Sequence, residues 1–194
     1  MHRLLTFCCG ILFLSLLLSA PVAHAQIWAP DHKPLELGIG FQYTHYNIGG
    51  TQFHNLGEDA SFTYHIIDPL TGAGARLTGS IEGAVMAGFD GHPAGASSQV
   101  NAKSLFVGGG PHVALESPSR YTPWVHLLFG LDRVQLTAAN RNAFGFVGGG
   151  GVDVNLVGPI SWRVQADYLG THFKTPAWVQ SNYAFGTGVV LTFR

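Results

Sequence analysis

Charged residues are scarce in this sequence. Only 11% of its 194 residues are Asp, Glu, Lys or Arg, against roughly 25% in ordinary soluble domains. The ten basic residues nearly balance the eleven acidic ones, and the formal net charge is -1. Proteins that bind nucleic acid carry a basic excess against the phosphates, so we expect no nucleic-acid partner.

Cysteine is also nearly absent, and both cysteines, Cys8 and Cys9, lie close to the N-terminus. The same region has Arg3, an apolar run and then Ala23-His24-Ala25, which together predict a cleaved secretory signal peptide. We divide the chain into a signal peptide (1–25), a lead-in (26–34) and one domain (35–194). A secreted domain without cysteine forms no disulfide, so its own core or surrounding lipid must stabilise it.

Long apolar runs are missing after the signal peptide, so no segment has the roughly 20 residues of a spanning helix. The stretch 159–170 instead alternates between two kinds of side chain, which an extended strand places on opposite faces. The apolar face carries Ile160, Trp162, Val164, Ala166 and Tyr168, and the polar face carries Ser161, Arg163, Gln165 and Asp167.

Counting this stretch, eight segments between residues 35 and 193 alternate in this way, and no helical period of comparable strength is present. The predicted longer connections follow the odd-numbered strands, at 47–57, 90–101, 137–142 and 171–181. The predicted short turns lie at 68–72, 116–122 and 157–159. This pattern predicts an all-β, eight-stranded, antiparallel up-and-down transmembrane β-barrel, with apolar side chains facing lipid and polar ones facing inward. A soluble lipocalin-like binding barrel, with the opposite facing, is the alternative.

The segments 104–111, 124–130, 163–169 and 186–193 resemble the small outer-membrane β-barrels related to the transmembrane domain of OmpA, the OmpA/OmpX-like barrels. The resemblance covers about residues 35–194. It implies a location in the cell outer membrane, contact with outer-membrane lipids and lipopolysaccharide, and insertion by the outer-membrane machinery, as a monomer. Two features depart from the family. Arg194 follows the aromatic Phe193, and the chain stops at the barrel, whereas OmpA continues into a peptidoglycan-binding domain.

The inward faces supply a predicted polar network in the lumen. An eight-stranded barrel is narrow enough for side chains to fill it, and a buried charge without a partner is costly. We expect Arg163 to be held by at least two of Glu82, Asp153 and Asp167. The predicted network contains Glu36, Glu82, His112, His126, Asp153, Arg163, Gln165 and Asp167. Its preferred interpretation is a structural plug, and the alternative is a gate or a small permeation path.

Other chemistry has weaker support in the sequence. His65, His112 and His126 lack a spacing typical of metal ligands, so we expect no metal and no cofactor. A lipid A acyl hydrolase or acyltransferase needs serine, histidine and an acid near one rim, for which only loop residues are available: Asp90, His92, Ser97, Ser98 and His172. The glycine run 148–151 lacks the Lys-Ser/Thr of a phosphate-binding loop. We therefore expect a structural or surface-interaction barrel without catalysis.

Overall fold

The computed structural model describes residues 35–48, 51–72, 75–93, 102–116, 118–136, 139–174 and 177–193. The predicted signal peptide and lead-in lie outside these residues. The described chain forms eight strands: β1 (Leu35–Ile48), β2 (Thr51–Gly72), β3 (Ala75–Pro93), β4 (Ala102–Glu116), β5 (Tyr121–Leu136), β6 (Ala139–Val157), β7 (Ile160–Lys174) and β8 (Ala177–Phe193).

Each strand pairs antiparallel with the next, and β1 pairs with β8 to close the sheet into a barrel. Leu35 lies opposite both Tyr64 and Phe193, so both ends of the barrel domain lie at one rim. We call this the turn rim, because it carries the β2–β3, β4–β5 and β6–β7 connections. The opposite end is the loop rim. No helix among these residues is long and apolar enough to cross a membrane. The predicted eight-stranded up-and-down barrel is confirmed.

The two faces of the wall have opposite character, as the alternation predicts. On β7, Val164 is exposed on the outer face, whereas Arg163 is only 4% exposed. On β1, Ile39 and Phe41 are 69% and 70% exposed. The outer face carries large apolar side chains on all eight strands, and such a continuous surface favours contact with hydrocarbon over water. A soluble barrel would place these side chains in its core.

The strands at the loop rim are longer than the sequence predicts. The predicted loop 47–57 is mostly strand, since β1 continues to Ile48 and β2 starts at Thr51. The predicted loops 90–101, 137–142 and 171–181 are likewise shortened by strand extensions. The apolar alternation stops where these polar segments begin. The backbone pairing continues through them, because hydrogen bonds between strands satisfy the N–H and C=O groups regardless of the side chains.

The predicted turn 68–72 is also wrong, because β2 runs on to Gly72 through register shifts near Ile67. The predicted turn at 157–159 is correct in position and reduces to Gly158 and Pro159. Gly158 has φ 57°, a left-handed conformation that glycine adopts without steric cost. The turn pairs Val157 with Ile160, and a register shift between Asn155 and Val157 then brings Asp153 opposite Arg163.

Candidate functional site

The predicted polar network lies inside the barrel, near the turn rim. Seven of its eight residues are buried. The eighth, Glu36, lies at the start of β1 at that rim and is half-buried. The residues form two groups, one around Arg163 and one around His126, except that His112 stacks on the Trp124 ring and neither of its nitrogens has a hydrogen-bond partner among the described residues.

Arg163 is held by a carboxylate and an aromatic ring. Its Nε and one terminal nitrogen donate to the two oxygens of Asp153, at 2.8 and 2.7 Å. Its guanidinium carbon lies 4.5 Å from the centroid of the Trp124 ring, within cation–π range. The Trp124 indole N–H donates to the same carboxylate at 3.0 Å, and Glu36 lies 3.8 Å away on another side. The arrangement fixes one arginine in one orientation across β5, β6 and β7.

The prediction that Arg163 pairs with at least two of Glu82, Asp153 and Asp167 is wrong. Among the described residues its acidic partners are Asp153 and Glu36. Glu82 and Asp167 are taken by a second cation candidate, His126, whose ring nitrogens lie 3.0 and 3.1 Å from them. The reason is height in the barrel. Asp167 lies four residues further along β7 than Arg163, about 13 Å along the strand towards the loop rim, and the register places it level with His126.

A further group of polar contacts lies at the turn rim, and no spacing in the sequence predicts that its members meet. Ser80 Oγ lies 3.0 Å from His65 Nδ1, and His65 Nε2 lies 3.4 Å from Glu36 Oε1. Serine, histidine and carboxylate in series are the components of an activated nucleophile. Ser80 and His65 are both buried in the lumen wall, however, so the group lacks the open face that an acyl substrate needs.

Glycine makes room for these side chains. The Trp124 ring lies over Gly151, where an added Cβ would meet its Cζ2 at 2.7 Å. Gly149 lies opposite Asp167, and a Cβ there would collide with that carboxylate. Gly149 and Gly151, the two inward-facing glycines of the run 148–151, therefore create space in the lumen for side chains of β5 and β7, which explains these two positions without a phosphate site.

Above the ionic groups, the lumen contains a cluster of buried apolar side chains, with the buried polar Thr44, Asn55, Thr171 and Asn182 among them. Phe106, Leu128 and Leu169 are almost fully buried there, in phase with the polar residues of their own strands but nearer the loop rim. This apolar layer contains Tyr46, Phe53, Met86, Phe106, Leu128, Val134, Ala143, Val147, Leu169 and Ala184. The prediction of a polar lumen does not include this layer. The sequence shows it as apolar residues at inward positions, Phe106 on β4, Leu128 on β5 and Leu169 on β7, beyond the ionic residues of those strands.

One carboxylate is embedded in that apolar layer. Asp132 is 0% exposed, and neither of its carboxylate oxygens has a hydrogen-bond partner among the described residues. It lies on β5 opposite Phe106 and Ala143. Below it, between the two layers, a small cavity has room for about one water molecule, and Asp59, Glu82, His126 and Asp167 contribute to its lining.

The described side chains show neither a metal site nor an assembled set of the predicted enzymatic residues. Among those side chains, no group of three or more His, Cys, Asp or Glu could hold a metal ion. The predicted enzymatic residues Ser97 and Ser98 lie outside the described residues. For Asp90, His92 and His172 the structure describes the backbone alone.

Comparison with known proteins shows a shared fold but no closer relationship. No family model matches the chain, and no curated protein matches it. Among solved structures, Neisserial surface protein A has a TM-score of 0.60 at 11% identity, over 84% of this chain and 100% of that one. Ail of Yersinia pestis, in complex with the heparin analogue sucrose octasulfate, has a TM-score of 0.55 at 12% identity, over 84% of this chain and 99% of that one.

A third similar structure is the outer membrane protein OprG from Pseudomonas aeruginosa, with a TM-score of 0.51 at 12% identity, over 84% of this chain and 96% of that one. The chain has the fold of small eight-stranded outer-membrane barrels. At this level of identity the likeness covers the architecture alone. It agrees with the apolar outer face and the polar inner face, which are the arrangement expected of a barrel in lipid.

Proposed function

We propose that the protein is a structural or surface-interaction barrel of the bacterial outer membrane, with a closed lumen and no catalytic role. One observation carries the proposal: two different layers of side chains fill the lumen. The ionic groups of Arg163 and His126 fill the half near the turn rim, and the apolar layer, together with buried threonine and asparagine side chains, fills the half near the loop rim. A closed interior leaves the ends of the strands as the surface available to partners.

The distribution of side chains on the outer face supports an orientation. The short connections of the turn rim would face the periplasm, and the strand extensions of the loop rim would face the outside. Lys103 and Arg133 are exposed on the outer face near the loop rim, beside the apolar Leu105 and Leu131. Cations at that height suit the phosphates of lipid or lipopolysaccharide headgroups.

The membrane assignment is tested with the full chain refolded in detergent. A closed β-barrel that resists the detergent should migrate differently in unheated and heated gels. A single band at one mobility, together with a soluble, monomeric protein in the absence of detergent, would contradict the proposal and favour the lipocalin-like alternative.

The closed lumen is tested separately in planar lipid bilayers. We expect no steady conductance from the wild-type protein. The double variant Phe106→Ala/Leu128→Ala removes two buried side chains from the apolar layer and serves as the reference for a weakened plug. A steady wild-type conductance that Arg163→Gln abolishes would contradict the plug and support a permeation path.

An enzyme in the same barrel is the second candidate, favoured by one observation, the Ser80–His65–Glu36 series. We expect lipid A from cells that express the protein to be unmodified. Replacement of Ser80 by alanine, and in a second variant of Ser97, Ser98, His92 and His172, should then leave the lipid A profile unchanged. A modification that either variant removes would establish an acyl hydrolase or acyltransferase.

A further inference from the structure

Two histidines converge on the outer surface of the barrel, away from the lumen. His45 of β1 and His54 of β2 are directly paired across the two strands. Their Nδ1 atoms lie 3.2 Å apart, and their ring centroids lie 4.8 Å apart. Both residues are half-buried. We propose that this pair is a binding site for a divalent transition metal, with zinc as the preferred ion.

The separation of the two nitrogens is the first argument. Zinc binds histidine nitrogen at about 2.0–2.1 Å in tetrahedral geometry, which places two such nitrogens about 3.3 Å apart. The observed 3.2 Å agrees with this value. Two neighbouring ligands of a square-planar copper ion would lie nearer, at about 2.8 Å for a similar bond length. The separation of the two nitrogens therefore already fits two ligands of a tetrahedral ion.

The hydrogen bonding of the pair is the second argument. His54 Nδ1 faces His45 Nδ1 and also lies 2.5 Å from the Tyr43 hydroxyl. An imidazole nitrogen carries either one proton or one lone pair, so it cannot make a good hydrogen bond to both neighbours. A metal ion in place of the shared proton would use the lone pairs of both imidazoles. The tyrosine hydroxyl is too near His54 Nδ1 to be a second tetrahedral ligand without moving, so we assign it no role in coordination.

The position on the barrel is the third argument. Towards the turn rim the site borders the apolar Leu56 and the Tyr43 ring, and towards the loop rim it borders Asn47 and Gln52, which are exposed. It therefore lies where the apolar belt ends, with one side open to water that can complete the coordination. The sheet register also places the backbone of His92 on β3 opposite His54, so three adjacent strands carry histidine in one row.

The site is tested by calorimetric titration of the refolded full chain with zinc chloride in detergent, after removal of any histidine tag. We expect one zinc per chain. The variants His45→Gln and His54→Gln should each weaken binding by roughly tenfold or more, because loss of even an outer-sphere partner costs about 10- to 100-fold. Tyr43→Phe is the matched control, since it removes the neighbouring hydroxyl and keeps both imidazoles, and it should bind within about threefold of the wild type.

Two results would overturn the proposal. One is the absence of zinc binding by wild-type protein whose gel mobility shows a folded barrel. The other is equal affinity in the wild type and in the His45→Gln/His54→Gln double variant, which would assign the binding to other histidines. Cobalt substitution gives an independent reading, because tetrahedral coordination by the pair predicts a visible absorption band that is lost in either single variant. Gel mobility of each variant separates loss of ligands from loss of fold.

Discussion

Replacement of Arg163 by methionine tests whether the ionic groups hold the barrel together. The side chain is 4% exposed, and its two hydrogen bonds to Asp153 and its stacking on Trp124 form one unit. Methionine fills much of the space but leaves the Asp153 carboxylate buried with only the indole N–H as a donor among the described residues. Removal of one partner from a buried ion pair costs about 3–5 kcal/mol.

The assay is reversible urea unfolding of the protein in phospholipid vesicles, followed by gel mobility. Gel mobility is preferred to fluorescence because Trp124 lies against the mutated side chain. Arg133→Met is the matched control, since Arg133 is exposed on the outer face of β5, and it should change stability by less than about 1 kcal/mol. The double variant Arg163→Met/Asp153→Leu should lose about 2 kcal/mol less than the sum of the two single variants, because no charge is left unpaired.

Equal losses at Arg163 and Arg133 would refute this reasoning. That result would mean that water reaches the lumen and screens its charges, so the ionic groups would not act as a closed plug. Additive losses in the double variant would separately refute the coupling between Arg163 and Asp153.

Three further predictions use the same unfolding assay. Val164→Arg places a charge on the lipid-facing belt and should cost about 2–4 kcal/mol near the bilayer centre; no loss would place that face in water. Gly149→Ala should cost about 1–3 kcal/mol of stability, because the added methyl group crowds the lumen. Gly148→Ala should cost less than about 1 kcal/mol, because Gly148 lies on the outer face and a Cβ there has its nearest neighbour at 3.6 Å. Equal losses in the two variants would contradict the assignment of faces. His126→Leu leaves the buried carboxylates of Glu82 and Asp167 without the imidazole between them, while Asp167 keeps the Gln165 amide as a donor. It should cost about 3–5 kcal/mol, and a neutral result would show that water replaces the imidazole.

The alternation along the chain predicts the number of strands and their order. Period-two alternation specifies which side chains share a face, and a narrow barrel has room inside for only one of the two sets. Because one face of β7 holds Arg163 and Asp167 and the other holds Ile160 and Val164, the membrane-barrel interpretation predicts that the apolar face points outward. These features depend on local pattern alone, so they could be predicted without coordinates.

Which inward residues meet depends on the closed sheet. Asp153 and Arg163 are neighbours through the register of the β6–β7 hairpin. The contacts of His126 with Glu82 and Asp167 join strands two apart, β5 with β3 and β5 with β7, and sequence periodicity carries no information on the relative height of such strands. The strand ends were also decided by pairing, since backbone hydrogen bonds continue into polar segments where the apolar pattern stops. The pairing of His45 with His54 came from the same register, which depends on the position of the β1–β2 hairpin and not on either residue alone.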